Sequence, residues 1–441
     1  MKKVFALVPL TALALLAFSC RQPILQPVPI TIQLTNGGQA FTQEGVSVLL
    51  SDESGSISFQ LLTDSEGKVS ATLPVGFYTV SATWKQTDEG ERITYNGSLT
   101  GLIASPEKDP FYCLDMQAVK SQLLIIKELY TGGCLNEATG KSYSDDAYIV
   151  LYNNSETELD ASDVVFCFAA PYNSTASNKY YDIEGKLLYE SLPWIPALGA
   201  IWWFTAPVTI PAYSQIVVAV FGAIDHTITV PTSVNLSNPN YYWMSNDGIT
   251  AYDMPKYHVS DAIPSSHYLT CVPYTQGRAW ALSNSSPAFY IARMPQSQAK
   301  ALSENVDDYD HTLGAGAPNY VVKMPKANVI GAVEVWPAAS IKSSKARFSA
   351  DINTGYIAHT NSKGYSIYRN VDKEATEALE ENKGKLVYNY AGGTEDVEGS
   401  TDPSGIDAEA SIKAGAHIIY SQTNDSSKDF HQRKVASIKD K

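Results

Sequence analysis

The chain is poor in the residue constellations that carry common chemistries. It has five cysteines in 441 residues and no CxxC pair, and no cysteine falls with histidine at zinc-ligand spacing, which argues against a structural zinc. Seven histidines (His226, His258, His267, His311, His359, His417 and His431) stand in unrelated contexts with no HExxH, so the helix-borne ligand pair of a metalloprotease is missing. "GAGAPN", residues 314–319, is followed by neither Lys-Ser nor Lys-Thr and lies in no βαβ context, which excludes a phosphate loop. "VDDYDH", residues 306–311, lacks the spaced carboxylates and glycine of a calcium loop and reads as a solvated acidic turn. Positive charge is scarce too. Lysine and arginine number 32 against 46 acids, a formal net charge of -14, and a nucleic-acid polyanion would be repelled by the chain as a whole. No cofactor is implied.

What is present begins at the amino terminus. "MKKVFALVPLTALALLAFSC" has two lysines, an apolar run through Phe18, then Ser19 and Cys20, the three-part pattern of a processed leader over residues 1–19. The apolar run is too short to span a bilayer comfortably. A cysteine after a small residue resembles the bacterial lipobox, which implies lipid attachment at Cys20 and a mature chain anchored in a membrane leaflet. Removal of Lys2 and Lys3 with the leader takes the net charge to -16. The proline-rich stretch after Cys20, residues 20–29, reads as an extended tether. Arg21-Gln22-Pro23 lacks the acidic residues that usually follow the cysteine in surface-exported lipoproteins of the Bacteroidota, so the sequence leaves the face of the membrane open.

With 44% hydrophobic, 11% aromatic and 18% charged residues, the chain has apolar material for more than one domain. The cysteines beyond Cys20 are Cys113, Cys134, Cys167 and Cys271, an even number in an oxidising compartment, which permits two disulfides or four buried thiols. Pattern divides the mature chain in two. Over residues 30–118, short alternating runs such as "VSVLLS" and "YTVSATW" are separated by turn residues, as in a small antiparallel sandwich. "TDSEGKVSATLPVGFYTVSA" resembles the carboxypeptidase-regulatory-like, or transthyretin-like, sandwich; the resemblance gives Gly67 and Gly76 backbone roles in turns.

Residues 121–441 carry a second resemblance. "SQLLIIKELYTGG", with Glu128 near its end, precedes "DAYIVLYNNSETELDASDVVF"; the order is similar to that of a lamin-tail domain. Asp146, Tyr148, Ile149, Leu151, Tyr152, Asn153, Leu159, Asp160 and Ser162 match, and Val150 stands where that family commonly has glutamate. "TIPAYSQIVVAVFG", "KGYSIYRN" and "SQTNDSSKDFHQRK" resemble its later strands. Tyr148, Val150 and Tyr152 fall on one strand face and Ile149 and Leu151 on the other, so both faces need cover. Asn153 and Asn154 are expected to bond their own backbone and stop the strand. The expected fold is all-β: two antiparallel, immunoglobulin-like sandwiches, the second lamin-tail-like with long inserted loops. The insertions are an aromatic-rich pair, about 171–208 and 225–325, and an acidic segment, about 372–415, with a short solvated helix ending at Gly384. More broadly the chain resembles an uncharacterised family of Bacteroidota lipoproteins, a resemblance that implies no activity.

Three function classes follow. The first is a noncatalytic outer-membrane lipoprotein, a binding or accessory subunit docking on a β-barrel such as a TonB-dependent transporter. The second is a surface glycan-binding protein. The third is an extracellular hydrolase or its noncatalytic part. Asp261, Ser265 and His267 cluster in "SDAIPSSHYL" without a defined triad geometry. The candidate partner or ligand surface is aromatic: Tyr241, Tyr242 and Trp243, with Trp202, since interfaces favour large rigid rings. Trp202 and Trp203 lie in an apolar run, so at least one is expected in the core.

Overall fold

The computed structural model describes residues 26–52, 57–88, 91–176, 181–183, 187–244, 257–274, 282–311 and 320–440. The leader, Cys20 and the "GAGAPN" phrase lie outside them. The described chain is mostly β-strand with a few short helices. It divides into two compact units, with the boundary between Lys120 and Ser121.

In the first unit, the Val28–Asn36 strand pairs antiparallel with Lys68–Leu73 and parallel with Phe111–Asp115. A second, five-stranded sheet is built around Ser47–Asp52 and Gly76–Asp88. Alternation explains how both sheets share one core. Ile30, Ile32 and Leu34 on the first sheet and Val48, Leu50, Val80 and Ala82 on the second belong to a single buried cluster, every second residue turning inward. The strand starts at Val28, inside the stretch read as tether, because Val28 and Ile30 are buried in that cluster. Gly67 meets its expected role: its φ is +72°, and a Cβ there would stand 1.9 Å from the Phe41 carbonyl oxygen. Gly76 does not, since its φ is not positive and only the Tyr78 ring lies near.

The second unit is dominated by a twelve-stranded mixed sheet. In spatial order its strands are Ile357–His359, Val329–Pro337, Ala288–Arg293, Val164–Phe168, Trp202–Phe204, Tyr268–Cys271, Tyr242–Met244, Gln215–Ala219, Tyr148–Asn153, Leu124–Tyr130, Ser366–Arg369 and Phe430–Arg433. The sheet comes nearly back on itself: Thr360, just past one edge strand, donates its N–H to the Gln432 side chain in the other at 2.6 Å. One large apolar cluster joins residues of the central strands, from Leu124, Ile126 and Tyr148 to Phe289, Ile291 and Val333. A second cluster, including Val165, Cys167, Tyr290 and Met324, packs on the opposite side of Val164–Phe168 and Ala288–Arg293.

This architecture corrects the expectation of a small sandwich with inserted loops. Segments 171–208 and 225–325 contribute strands to the sheet and side chains to its core, so they are body rather than excursion. The acidic segment is exposed over much of its length but turns inward toward its end, where Asp402, Ile406, Ala408, Glu409 and Ser411 are buried. Its expected helix is shorter than read, running Lys373–Glu377 with Asp372 capping the Ala375 N–H, because Thr376 turns inward to bond the Ile419 backbone instead of continuing an exposed face. All four described cysteines are free thiols, Cys113 exposed and Cys134, Cys167 and Cys271 buried.

Candidate functional site

The two strands that open the second unit carry two clusters of buried polar side chains. In Leu124–Tyr130 the register against Tyr148–Asn153 shifts between Ile126 and Glu128. A bulge of this kind re-aims the extra residue, and that residue is Lys127, which is fully buried. Its ammonium donates to Glu409 Oε1 at 2.8 Å and Gln215 Oε1 at 2.7 Å. The rings of Tyr152, Tyr368 and Tyr420 surround it at 5.4–5.6 Å, within cation–π range. The Tyr368 hydroxyl also donates to Glu409 Oε1 at 2.8 Å. Burial by itself would raise the Glu409 carboxyl, but the charge and hydrogen bond of Lys127 and the Tyr368 hydroxyl hold it below its ordinary value. The cage is closed to solvent and its cation is the protein's own. It is a staple, not an open site.

Glu128 on the next position is buried and accepts the Ser437 N–H at 3.0 Å and its hydroxyl. Asn153 makes the expected local turn, its Oδ1 accepting the Ser155 N–H at 3.1 Å. Asn154 departs from expectation: its side chain donates to the Tyr420 carbonyl and accepts the Tyr420 N–H, a two-point clamp 266 residues away.

A second buried cluster surrounds Asp146. Its Oδ2 accepts from Tyr130 Oη at 3.2 Å and from Ser233 Oγ, and the Cys134 thiol lies 3.7 Å away. Burial raises both the Asp146 carboxyl and, reinforced by that carboxylate, the Cys134 thiol. A thiol so held is protonated and a poor nucleophile.

The aromatic surface proposed from sequence splits. Trp202 is 1% exposed and Trp243 4% exposed, and both lie in strands of the main sheet, which overturns their reading as ligand contacts. Trp243 donates its indole N–H to the Phe221 carbonyl at 2.5 Å, so even its polar atom is consumed internally. Trp203 is also core. Tyr241 and Tyr242 are half-buried. Tyr242 stacks on His267 with ring centres 4.4 Å apart, and His267 Nδ1 lies 3.1 Å from the Tyr241 carbonyl oxygen. That contact directs His267 toward backbone rather than toward Asp261 or Ser265, which are exposed, so the three residues are not assembled as a triad. Among the described residues no three histidine, cysteine, aspartate or glutamate side chains converge as metal ligands.

Open depressions on the described surface include two of about 560 Å³ each. One lies in the acidic segment, lined by Glu377, Glu380, Lys383, Leu386 and Tyr388 among others. The other lies where the Cys134–Asn136 hairpin strand meets residues 361–364 and the carboxyl-terminal segment. Lys363, Lys434 and Lys439 line it with Glu137, Leu135 and Val435. Reading along the chain missed this second depression, because five separate segments build it and no one of them carries a motif.

The fold and these sites define an all-β protein with closed polar staples and open surface pockets. A family model described as protein of unknown function (DUF4876) matches residues 213–404. Among solved structures, the chain is similar to a DUF4876 family protein from Bacteroides thetaiotaomicron VPI-5482, with a TM-score of 0.55 and 18% identity over 93% of this chain and 96% of that one. That likeness is one of fold. No curated protein matches the chain.

Proposed function

We propose that this chain is a noncatalytic outer-membrane lipoprotein that serves as a binding or accessory subunit, docked on a β-barrel membrane protein such as a TonB-dependent transporter. The observation that carries the reading is the leader ending in Ser19-Cys20, whose charge, apolar run and small residue before cysteine match a processed, lipid-attachment signal. On this reading, the first unit is a carboxypeptidase-regulatory-like spacer and the second a lamin-tail-like body that presents the binding surfaces. The closed, solvent-excluded packing of the Lys127 and Asp146 clusters supports a structural role for them, where an enzyme would expose such groups in a cleft. The test is Cys20→Ala expressed in the native host. Loss of radiolabelled palmitate incorporation and release from the membrane fraction are expected; a mature-sized variant that stays membrane-bound overturns the anchor. Affinity purification of the native form from outer membranes, with identification of what stays bound, tests the docking partner, and recovery without any β-barrel protein overturns that part.

A second reading, surface glycan binding, is favoured by the half-buried Tyr241, Tyr242 and stacked His267, whose flat rings suit a sugar face. Tyr242→Ala would then reduce retention on polysaccharide resins while leaving the fold intact.

A further inference from the structure

We propose that the lysine-lined depression of the second unit is a binding site for a small organic oxyanion, a carboxylate, phosphate or sulfate carried on a neutral or apolar body. Charge supplies the first reason. The chain carries 46 acids against 32 bases, yet here Lys363, Lys434 and Lys439 line one depression with Glu137 as the sole acid among the lining residues.

The state of these cations supplies the second. Lys439 donates to the Thr232 carbonyl, a neutral acceptor, with the buried Asp146 carboxylate as a more distant opposing charge. Much of the Lys439 side chain is exposed, but desolvation of its ammonium holds the pKa below the ordinary lysine value, and an incoming anion would relieve that penalty. Lys434 reaches Glu395 at 3.5 Å, and that carboxylate's side chain is 94% exposed, so the pair is weak. Lys363 is exposed and makes no hydrogen bond or ion pair among the described residues.

The walls are fixed before any ligand arrives. Gly133, at φ +66°, approaches the Tyr143 carbonyl so closely that a Cβ would stand 1.9 Å from it. The Ser362 and Gly364 N–H groups donate to the Gly132 and Gly133 carbonyls, each at 2.9 Å. Thr232 Oγ1 donates to the Leu135 carbonyl at 2.8 Å, and the Ser362 hydroxyl donates to Ser142 Oγ at 2.7 Å. Segments 134–137, 232 and 361–364 are thereby tied to one another, which lowers the ordering cost of binding. Leu135 and Val435, each 45% exposed, give an uncharged body something to pack against, and the volume is in the range of small-molecule sites. The inference does not depend on the lipid anchor.

The test is calorimetric titration of the purified full-length protein with inorganic phosphate, sulfate, glucuronate and, as the neutral control, glucose. At least one oxyanion is expected to bind, glucose is not, and binding should weaken as sodium chloride is raised. The ranking among the three oxyanions identifies the group the site prefers. Lys363→Gln should weaken binding by about two- to fivefold, the range for one exposed charge contact, with an unchanged melting temperature because its side chain holds nothing together. Glu137→Gln should do the opposite and tighten binding by a similar factor, a gain that loss of structure cannot mimic. Absence of binding by all three oxyanions overturns the proposal. So does binding that neither substitution alters, since the anion would then sit elsewhere.

Discussion

Replacing Lys127 by methionine removes the cation from the tyrosine cage while roughly keeping its volume. Glu409, only 5% exposed, then loses its ion-pair partner and retains the Tyr368 hydroxyl and the weaker influence of Arg433. Breaking a buried pair from one side costs about 3–5 kcal/mol, mostly the penalty of the stranded charge. The pH dependence should change sign as well. In the native protein the Glu409 carboxyl is held below its ordinary 4.5, so its contribution is present above that pH and lost as pH falls through the folded value. Without Lys127, desolvation dominates and the folded value rises above 4.5. The variant's folded state then takes up a proton that its unfolded state does not hold, and its stability recovers as pH is lowered from 7 toward 5. Adding Glu409→Gln removes the stranded charge and keeps an oxygen for the Tyr368 hydroxyl, so the double variant should be more stable than Lys127→Met alone. Denaturant unfolding of the four proteins at pH 7 and pH 5 makes the comparison. Additive losses in the double variant, or a cost below about 1 kcal/mol for Lys127→Met, the level of an exposed pair, would refute the idea that the cage is a coupled staple.

Trp243→Ala should destabilise the second unit by about 3–5 kcal/mol, the cost of truncating a buried aromatic, and it leaves the Phe221 carbonyl without its indole donor; thermal unfolding checks this, and a shift no larger than that of Tyr241→Ala contradicts the core assignment. His359 is fully buried, and desolvation lowers its pKa to about 4. Because the unfolded chain takes up this proton from about pH 6.5 while the folded protein resists until about 4, stability should fall across that window, and His359→Gln should flatten the slope measured by denaturant midpoint against pH. Burial pushes the Cys167 and Cys271 thiols well up, whereas Cys113 is exposed; timed alkylation with mass mapping should label Cys113 first and the other two only after denaturation.

Local chemistry made part of this fold legible. The stretches around Leu124–Tyr130, Tyr148–Asn153, Gln215–Ala219, Ser366–Arg369 and Phe430–Arg433 were read as strands of one domain, and they lie as five neighbours in the sheet. The first three announce themselves by apolar content and a nearby turn residue, signals that need no distant partner, whereas Ser366–Arg369 and Phe430–Arg433 are legible through the lamin-tail resemblance. The strands Trp202–Phe204 and Tyr242–Met244 are three residues long, too short to show a period; the apolar run around Trp202 and Trp203 points to the core for at least one of them, whereas the polar flanks of Tyr242–Met244 suit a loop equally well. The acidic segment misled for a different reason. Charge reads as solvent exposure unless a counter-charge is visible, and the partner of Glu409 lies 282 residues earlier in the chain. The lysine-lined depression was illegible for the same cause, since its cations come together only when the sheet curls.

Those long separations bear on how the second unit is held. Glu128 takes both its donors from Ser437, 309 residues on; Tyr152 donates to the Ile418 carbonyl at 2.8 Å and Asn154 clamps Tyr420, each 266 residues on. The opening strands therefore receive their polar partners from the last part of the chain. Seven of the twelve main-sheet strands, Gln215–Ala219 through Ser366–Arg369, fall within the family-matched residues 213–404, but the staples that tie Leu124–Tyr130 and Tyr148–Asn153 to segments 409–437 lie outside that match. A buried Lys127 or Glu128 costs several kcal/mol until its partner arrives, so the opening strands are unfavourable as an isolated hairpin and become favourable only when the carboxyl-terminal segment docks. Contacts of such separation also slow folding, since the closure entropy precedes the reward. The same docking brings Val435 and Lys439 to the lysine-lined depression, so completing the fold and completing that pocket are one event.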